Sequence, residues 1–475
     1  MRVDVPASIE PAEELGRVHF VGIGGAALSG VARVMMMRGV AVSGSDQADS
    51  AMLRSLRTLG VQCWVGHDAN LVEGVDTVVV STAVRDDNPE VVRARELGLR
   101  LWPRSAAVQS IMSGHRAVVV TGTHGKTTTT SMLTTALLST DADPSYAIGS
   151  TLTASGLNAA AGSGDIFVVE GDESDAAILT YTPWGAVITN VDADHLDHFG
   201  TVEAYTEVFR EFLGRIDPGG FVVCCVDDAG AAMLADRASQ RELRTVRVGR
   251  GDGTDLQAVR CAYVGETSQF DVRRGNATLG RVTLRVPGEH YVTDALAALA
   301  AGLELGFCFD DLATGLAAFR GSGRRMEFKA EAAGVRVFDS YAHHPVEIAA
   351  DLAAARRVAG NGRLVVCFQP HLYSRTKVFA VQMGAALGAA DEVVVMDVYR
   401  SREDRDPSVS GAMVAEAVPL AAERVTFVPD WSQTAAEVTR RARTGDLVMT
   451  LGAGDVTEIG PTVIALLEER DGSSP

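Results

Sequence analysis

A glycine- and threonine-rich run in the second quarter of the chain has the residue types that bind phosphate. The apolar segment 117–120 leads into Thr121-Gly122-Thr123-His124-Gly125-Lys126-Thr127-Thr128, and a helical pattern follows. In loops of this kind backbone amides bind the phosphates of ATP, the lysine neutralises their charge, and the next threonine is a ligand of Mg²⁺. The pattern predicts an ATP·Mg²⁺ site, with Lys126 catalytic and further contacts from Gly122, Thr123, His124, Gly125, Thr127 and Thr128.

Lysine is scarce in this chain. It occurs only at positions 126, 329 and 377, although lysine and arginine together number 43. A basic position kept as lysine in so arginine-rich a sequence indicates that the compact ammonium charge itself is needed there. The general phosphate-loop pattern begins with glycine, and Val120 stands at that place here. A threonine-rich helix start is therefore the structural alternative.

Acidic and imidazole side chains follow two further strand-like segments. Segment 166–169 leads into Glu170-Gly171-Asp172-Glu173-Ser174-Asp175, and segment 187–189 leads into a run that contains Asn190, Asp194 and His195. Carboxylates at a strand end beside a phosphate loop are where such enzymes hold a hard cation. His195 is a candidate second ligand, with a solvated polar loop as the alternative.

The first strand-like segment also opens onto glycines. It leads into Gly22-Ile23-Gly24-Gly25-Ala26-Ala27-Leu28-Ser29-Gly30, and Asp46 ends the next strand-like segment. Glycines let the backbone approach a diphosphate, and the N-terminus of the following helix favours its negative charge. The pattern predicts a diphosphate site but does not distinguish NAD from a UDP-sugar. A tight strand-to-helix turn is the structural alternative.

Two strand-like segments in the last third of the chain end in basic and aromatic residues. Tyr341 and His343 precede a helix that begins with proline, and Arg375 follows Gln369-Pro370-His371. An imidazole can orient an amine or accept its proton, and a guanidinium can bind a carboxylate or phosphate through two parallel hydrogen bonds. Packed turns are the alternative for both, and the glycine turn at 452–454 can be purely structural.

Length and composition limit the class of protein. A chain of 475 residues exceeds one hydrophobic core, so we expect three domains. The net charge of −18 disfavours nucleic acid and anionic membranes as partners. No run of apolar residues is long enough for a membrane span, no secretion signal begins the sequence, and the six cysteines lack metal-ligand spacing. We therefore expect a cytoplasmic enzyme of the α/β class, with mostly parallel sheets.

Taken in order, these motifs resemble the Mur ligase family. The resemblance extends from His19 to about Asp455, and its carriers are 19–25, 122–128, 170–175, 194–197, 341–345 and 369–371. It implies an N-terminal Rossmann-like UDP-sugar domain (1–114), a central phosphate-loop ATPase domain with a mostly parallel sheet (115–322) and a C-terminal Rossmann-like amino-acid domain (323–475).

The resemblance also implies an activity and its residues. Members resembling this chain join an amino acid, here L-alanine, to the lactyl carboxylate of UDP-N-acetylmuramate through an acyl phosphate, using ATP and Mg²⁺ in peptidoglycan precursor synthesis. We expect a monomer or weak homodimer. The implied residues are Gly24, Gly25, Ser29, Asp46, Ser81 and Thr82 for the UDP-sugar, Thr127, Glu170 and His195 for Mg²⁺, Asn190 and His290 for adenosine, Tyr341, His343 and Arg375 for the amino acid, and Lys126, His195, His343, Arg375 and Arg325 for catalysis.

Several positions depart from the family pattern. Ser340 and Asp294 stand where the family usually has aspartate and asparagine, Tyr291 stands where it has asparagine, and Ala176-Ala177 replaces Gly-Ser. These changes fall in the implied adenosine and amino-acid pockets. A paralogue that adds another amino acid or a peptide, and an inactive nucleotide-binding regulator, therefore remain alternatives.

Overall fold

The computed structural model describes residues 3–401 and 403–472, apart from the side chains of Leu196 and Asp197. The chain divides into two compact units. The first comprises Met1–Val259, Asp271–Val282 and Thr293–Phe319, and the second comprises Arg260–Phe270, Thr283–Val292 and Arg320–Pro475. Among the described residues, no helix is both long and apolar enough to cross a membrane.

Strands and helices alternate along most of the chain. The strands are β1 (Val18–Val21), β2 (Val42–Asp46), β3 (Gln62–Val65), β4 (Thr77–Val80), β5 (Arg100–Pro103), β6 (Arg116–Thr121), β7 (Ser145–Ala147), β8 (Ala159–Ala160), β9 (Ile166–Glu170), β10 (Gly185–Ile188), β11 (Phe221–Cys225), β12 (Arg244–Gly249), β13 (Leu256–Val264), β14 (Thr267–Arg274), β15 (Ala277–Leu284), β16 (Glu327–Ala332), β17 (Val335–Ser340), β18 (Leu364–Phe368), β19 (Glu392–Met396), β20 (Val425–Val428) and β21 (Leu447–Leu451).

The α-helices are α1 (Ala26–Met37), α2 (Ala51–Thr58), α3 (Pro89–Glu96), α4 (Arg104–Met112), α5 (Lys126–Leu138), α6 (Leu196–Phe199), α7 (Val202–Phe212), α8 (Ala229–Gln240), α9 (Glu289–Glu304), α10 (Phe309–Ala318), α11 (Pro345–Ala359), α12 (Tyr373–Leu387), α13 (Ala412–Glu416), α14 (Trp431–Arg441) and α15 (Ile459–Gly472). Several begin at residues that satisfy free backbone amides. Ser50 caps α2, Asn88 caps α3 ahead of Pro89, and Thr201 caps α7.

The first sheet has five strands in the order β3-β2-β1-β4-β5, all parallel. Its valine-rich strands are buried because helices cover them. The strand order reverses between β1 and β4, and in open parallel sheets ligands bind at the carboxyl ends of the strands at such a point. The glycine loop follows β1 and Ser81 follows β4, so both predicted sugar-binding segments leave the sheet at this reversal.

The second sheet contains the run β12-β11-β10-β6-β9-β7-β8, and its order continues through β13, β14 and β15, whose residues belong partly to each unit. Strand β6 lies between β10 and β9 and is parallel to both. The phosphate loop therefore leaves the sheet between the segments 170–175 and 189–195. The structure places these three predicted strand ends side by side.

The second unit contains a six-stranded sheet in the order β16-β17-β21-β18-β19-β20. Strands β16 and β17 are antiparallel and the other neighbours are parallel. Strand β21 separates β17 from β18, so the turns after Ser340, Phe368 and Leu451 lie at one edge. The expected fold class, three α/β domains with mostly parallel sheets, is confirmed.

Candidate functional site

The phosphate loop is shaped by two glycines and closed by Asn190. Gly122 has a φ of 135° and Gly125 a φ of 81°, a backbone region that glycine adopts without strain. The Asn190 side chain accepts a hydrogen bond from the His124 amide at 2.9 Å and donates one to the His124 carbonyl at 3.0 Å. Helix α5 begins at Lys126, so its first free amides point into the loop.

Lys126 is held by the loop and by a buried carboxylate. Its ammonium donates to the carbonyls of Gly122 at 2.6 Å and Thr123 at 2.9 Å, and it lies 2.9 Å from Glu173 Oε2. Burial raises the pKa of Glu173 to about 7, against the opposing charge of Lys126. Tyr205, which is also buried, shares a 2.8 Å hydrogen bond with the Thr123 hydroxyl. The lysine is thus presented within the loop by partners from two segments, and Tyr205 anchors one of them through Thr123.

The predicted metal ligands fall into two groups. The Thr127 hydroxyl donates to Glu170 Oε1 at 2.9 Å, and Glu170 Oε2 accepts from the Gly149 amide at 2.7 Å. His195 adopts a left-handed φ of 54°, and its Nε2 lies 3.7 Å from Glu173 Oε1 and 3.6 Å from Asp194 Oδ2. The hydroxyl and carboxylate oxygens of Thr127 and Glu170 suit Mg²⁺, which prefers oxygen ligands. The side chains of Leu196 and Asp197 in this motif lie outside the described residues.

Arg104 divides the four carboxylates of segment 170–175. Its Nη2 lies 2.8 Å from Asp172 and 3.4 Å from Asp175. Burial raises the pKa of Asp172, but Arg104 and hydrogen bonds from Ser174 hold it well below its ordinary value. Two of the carboxylates therefore pair with Arg104, whereas Glu170 and Glu173 contact Thr127 and Lys126 of the phosphate loop.

The glycine loop after β1 closes on Asp46. One Asp46 oxygen accepts from the Gly24 amide at 2.9 Å and the other from the Ala48 amide at 3.1 Å. A Cβ at Gly24 would lie 2.8 Å from the Ser50 hydroxyl, so this position needs glycine for space. Asp46 thus has a loop-shaping role in the structure, and the remaining lone pairs of its carboxylate can accept a ribose hydroxyl.

The other predicted sugar-binding residues differ in exposure. Gly25 precedes the first turn of α1, and Thr82 is exposed after β4. The Ser81 hydroxyl accepts from the Ala83 amide at 3.3 Å. Ser29 is buried, and its hydroxyl donates to the Ala26 carbonyl at 3.0 Å and accepts from Asn158 at 3.3 Å. Ser29 therefore supports the helix start from within.

A buried carboxylate lies beneath this sheet face. Glu90 of α3 accepts hydrogen bonds from His19 Nε2 at 3.0 Å, Ser45 Oγ at 2.7 Å, His67 Nδ1 at 3.0 Å and the Asp68 amide at 3.2 Å. Burial raises the pKa of Glu90, but the bonds from His19, Ser45 and His67 outweigh this effect and lower it. The cluster ties β1, β2 and the segment after β3 to α3.

The second unit gathers its predicted residues at the ends of β17 and β18. The guanidinium groups of Arg324 and Arg325 each lie 5.0 Å from the centre of the Tyr341 ring. Arg324 also forms a 3.0 Å ion pair with buried Asp339 and donates to the Gly452 carbonyl at 2.5 Å. Arg324 is therefore anchored by this ion pair and hydrogen bond.

His343 and Arg375 are linked through His371. The His343 ring lies 5.4 Å from Tyr341 and 5.7 Å from His371, and His371 Nδ1 lies 3.4 Å from an Arg375 amino group. His343 Nδ1 is 3.0 Å from the Tyr341 carbonyl, which can only accept, so this nitrogen carries the proton in the neutral ring. Nε2 of His343 is then the basic nitrogen.

The departures from the family pattern have local partners. Ser340 donates a hydrogen bond to Asp351, and the Tyr291 hydroxyl donates to the Arg325 carbonyl at 3.3 Å. Asp294 accepts from the Thr129 hydroxyl at 3.1 Å. Ala176 adopts a left-handed φ of 61°, which glycine would favour. Burial lowers the pKa of His290 to about 4, so its ring is neutral near pH 7.

Four residues of the site were not singled out from the sequence. Glu173 was one of several acids in a recognisable motif, and its position beside the loop was a usable signal. No comparable signal pointed to Arg104, Asn158 or Tyr205, because each lies 68 to 132 positions in sequence from the polar partner that defines its place here.

The fold and the site define a class: a multidomain α/β protein with a phosphate loop, an adjoining hydroxyl–carboxylate pair and a glycine loop at a strand-order reversal. Three family models match the chain, described as Mur ligase family, catalytic domain (residues 17–116), Mur ligase middle domain (120–302) and Mur ligase, glutamate ligase domain (324–454). The chain belongs to the Mur ligase family. The predicted boundaries at 114 and 322 remain predictions.

Similar proteins match nearly the whole length of the chain. The chain is 59% identical over 468 residues to a UDP-N-acetylmuramate–L-alanine ligase of Nocardioides sp., covering 98% of this chain and 100% of the relative. It is 50% identical to the protein of that name from Saccharopolyspora erythraea, covering 99% and 97%. The solved structure of UDP-N-acetylmuramate-alanine ligase from Thermotoga maritima has a TM-score of 0.81 at 29% identity, covering 96% and 100%.

Proposed function

We propose that this protein joins L-alanine to the lactyl carboxylate of UDP-N-acetylmuramate, with ATP converted to ADP and phosphate. The observation that carries the proposal is the 59% identity along essentially the full length of a ligase of that name. The arrangement of Lys126, Thr127 and Glu170 at the phosphate loop supports the same activity from geometry. The reaction belongs to peptidoglycan precursor synthesis, and we place it in the cytoplasm.

The first step makes the carboxylate reactive. A lactyl oxygen attacks the γ-phosphorus of ATP, the bond to the β,γ-bridging oxygen breaks, and an acyl phosphate and ADP result. Several anionic groups must meet for this step, so their repulsion has to be offset. When ATP binds, the Lys126 ammonium changes its partner from Glu173 to the phosphate oxygens. The free amides at the start of α5 donate further hydrogen bonds to the phosphates.

A bound Mg²⁺ supplies charge neutralisation for the phosphates. Thr127 and Glu170 are the residues that would hold it, and His195 is a further candidate. Thr127 and Glu170 are already paired through an oxygen–oxygen hydrogen bond of 2.9 Å, which puts two oxygen ligands of the preferred type at one point. Glu170 is in turn fixed by the Gly149 amide.

The second step forms the amide. The neutral amine of L-alanine attacks the acyl carbon, the bond to the phosphate oxygen breaks, and phosphate leaves. The amine must lose a proton, and we assign the role of acceptor to His343 Nε2, because Nδ1 is turned to the Tyr341 carbonyl. Arg375 and Arg325 provide guanidinium groups for the alanine carboxylate and the developing negative charge. Tyr341 shapes this pocket in the second unit.

Phosphate release tests the proposal. The purified protein receives ATP, Mg²⁺ and UDP-N-acetylmuramate, with L-alanine, glycine, L-serine or a tripeptide added separately, and product masses are recorded. We expect release with L-alanine and an alanyl product. Release only with another acceptor would support the paralogue, release only with a peptide would support a recycling enzyme, and nucleotide binding without release would support a regulator.

The Lys126→Ala variant tests the phosphate-loop assignment. We expect a folded protein with turnover reduced by at least about a thousandfold, because the principal phosphate charge partner is lost. Lys377→Ala is the matched control, since its side chain is 64% exposed, and it should retain normal turnover. Near-normal turnover of folded Lys126→Ala would contradict the assignment. We also expect the protein to be a monomer or a weak homodimer in solution, and analytical ultracentrifugation measures this.

A further inference from the structure

A loop of the second sheet contacts the start of the glycine-loop helix. We call residues 148–158, which connect β7 to β8, the bridging loop. Asn158, at its end, is 1% exposed, and its side-chain amide donates to the Ala26 carbonyl at 2.8 Å and to the Ser29 hydroxyl at 3.3 Å. Both acceptors lie in the first turn of α1. The position of that turn is therefore set partly by a residue 132 positions away in the sequence.

Close packing makes this contact specific. A Cβ added at Gly30 of α1 would lie 3.2 Å from the Ala159 Cβ and 3.3 Å from Asn158 Nδ2. Contacts that tight leave little room for the helix to shift relative to the loop. The carbonyl of Ala26 and the hydroxyl of Ser29 would lose a buried donor if Asn158 were shortened. Asn158 thus fixes the helix start both by hydrogen bonds and by shape.

The opposite end of the bridging loop is attached to the phosphate loop. The Gly149 amide donates to Glu170 Oε2 at 2.7 Å, and Glu170 Oε1 accepts from Thr127 at 2.9 Å. A Cβ at Gly149 would lie 2.7 Å from both carboxylate oxygens, so only glycine permits this approach. Any ligand that reorients Thr127 or Glu170 therefore acts on the backbone at Gly149.

The two ends of the loop meet. The Ile148 amide donates to the Asn158 carbonyl at 2.8 Å, which places the residue next to Gly149 against the residue that holds α1. The path from Thr127 to Ala26 consists of short hydrogen bonds and one peptide link, all within the first unit. It joins the proposed nucleotide site to the proposed UDP-sugar site.

We propose that Asn158 is a positioning residue that couples binding at these two sites. Occupation of the phosphate loop fixes Glu170 and Gly149, the bridging loop then holds Asn158 in place, and the first turn of α1 is ready for the sugar diphosphate. The UDP-sugar consequently binds more tightly when nucleotide is present. This inference rests on the proposed function, because it needs both ligands to be substrates or products of this protein.

Calorimetry measures the coupling directly. The dissociation constant of UDP-N-acetylmuramate is determined with and without saturating ADP and Mg²⁺, and that of ADP with and without the UDP-sugar. Linkage requires the two ratios to be equal, and coupled sites usually give at least about a fivefold ratio. We expect such a ratio for the wild-type protein and a ratio within about twofold of unity for Asn158→Ala. Ser29→Ala removes one of the two acceptors and should give an intermediate ratio.

A control and the opposing outcomes complete the test. Gln109→Ala removes two other hydrogen bonds between the domain of the first sheet and that of the second, from the Gln109 side chain to the Thr182 hydroxyl at 3.0 Å and from the Thr182 amide to the Gln109 side chain at 2.9 Å. It should leave the ratio unchanged. A structural role alone would lower the melting temperature or both affinities and leave the ratio at its wild-type value, which would overturn the inference. If the wild-type protein binds both ligands without coupling, the inference is overturned and the proposed function stands. If it does not bind the UDP-sugar at all, the proposed function is overturned as well. If Asn158→Ala does not fold, an unchanged ratio in Ser29→Ala overturns the inference and a reduced one supports it.

Discussion

Replacing Glu90 should destabilise the first sheet more than the loss of one side chain of that size would. Glu90 is fully buried and accepts four hydrogen bonds, two of them from His19 and Ser45, which are also fully buried. Glu90→Ala removes the acceptor that these donors share, and each buried donor left unpaired costs about 1–3 kcal/mol. Removing one partner of a buried charged network usually costs about 3–5 kcal/mol in total. We expect a loss of about 4 kcal/mol for Glu90→Ala.

Hydrogen exchange read by mass spectrometry is the suitable assay. It reports the free energy of opening for peptides that contain β1 and β2, without requiring the whole multidomain chain to unfold in one transition. Glu96→Ala on the same helix is the matched control, because its side chain is 58% exposed and its ion pair with Arg93 is superficial. It should change the opening free energy by less than about 0.5 kcal/mol. Equal effects of the two variants would refute the reasoning.

The sign of the pH dependence gives a second check on Glu90. Its hydrogen bonds lower its pKa in the folded protein relative to the unfolded chain. The folded state therefore gains stability from ionised Glu90 above the unfolded pKa of about 4.3, and that gain is lost as the pH falls through the lower folded value. The difference between wild type and Glu90→Gln should shrink below about pH 4. A difference that stays constant from pH 7 to pH 3 would contradict this account.

Two further changes probe the charged groups. Arg104→Gln should lower the free energy of unfolding of the first unit by about 1–2 kcal/mol at pH 7 and by less below about pH 4, because Asp172, whose pKa is depressed in the folded protein, loses its contribution to the ion pair in acid. Urea denaturation at both pH values measures the two losses, and equal losses would exclude the ion pair as the cause. Burial raises the pKa of Asp351 to about 6, although the hydrogen bond from Ser340 opposes this, so the stability of the wild-type protein should fall as the pH rises from about 4 to 6. The Asp351→Asn variant should not show that fall and should be more stable than the wild-type protein by about 2 kcal/mol above pH 6. A fall of wild-type size in the variant would contradict the role assigned to Asp351.

Local patterns were sufficient for the strand-and-turn units. The strand-like segments 117–120, 166–169 and 187–189 correspond to β6, β9 and β10, and the helical pattern after the phosphate loop corresponds to α5. These elements follow from β-branched runs and from the glycine and polar turns that end them, which act over a few residues. The resemblance to a family then supplied the domain order, which the comparisons support.

The polar contacts that organise the site were not accessible in this way. Arg104 meets Asp172 across 68 positions of sequence, and Lys126 meets Glu173 across 47. Such pairs depend on which strands lie side by side and which way each side chain points, and sequence spacing fixes neither. The four acids of segment 170–175 looked equivalent in sequence, yet the fold gives two to Arg104 and two to the phosphate loop.

The sequence by itself determined the phosphate loop, the glycine loop, the acidic strand end and the α/β class, because each depends on residues that are close together in the chain. The tertiary structure alone decided that Glu90 gathers two histidines beneath the first sheet and that Asn158 reaches the start of α1. Those contacts form only when separate sheets and helices pack and exclude water. Once such a donor is buried it needs an acceptor, since leaving it without one costs more free energy than a formed hydrogen bond contributes.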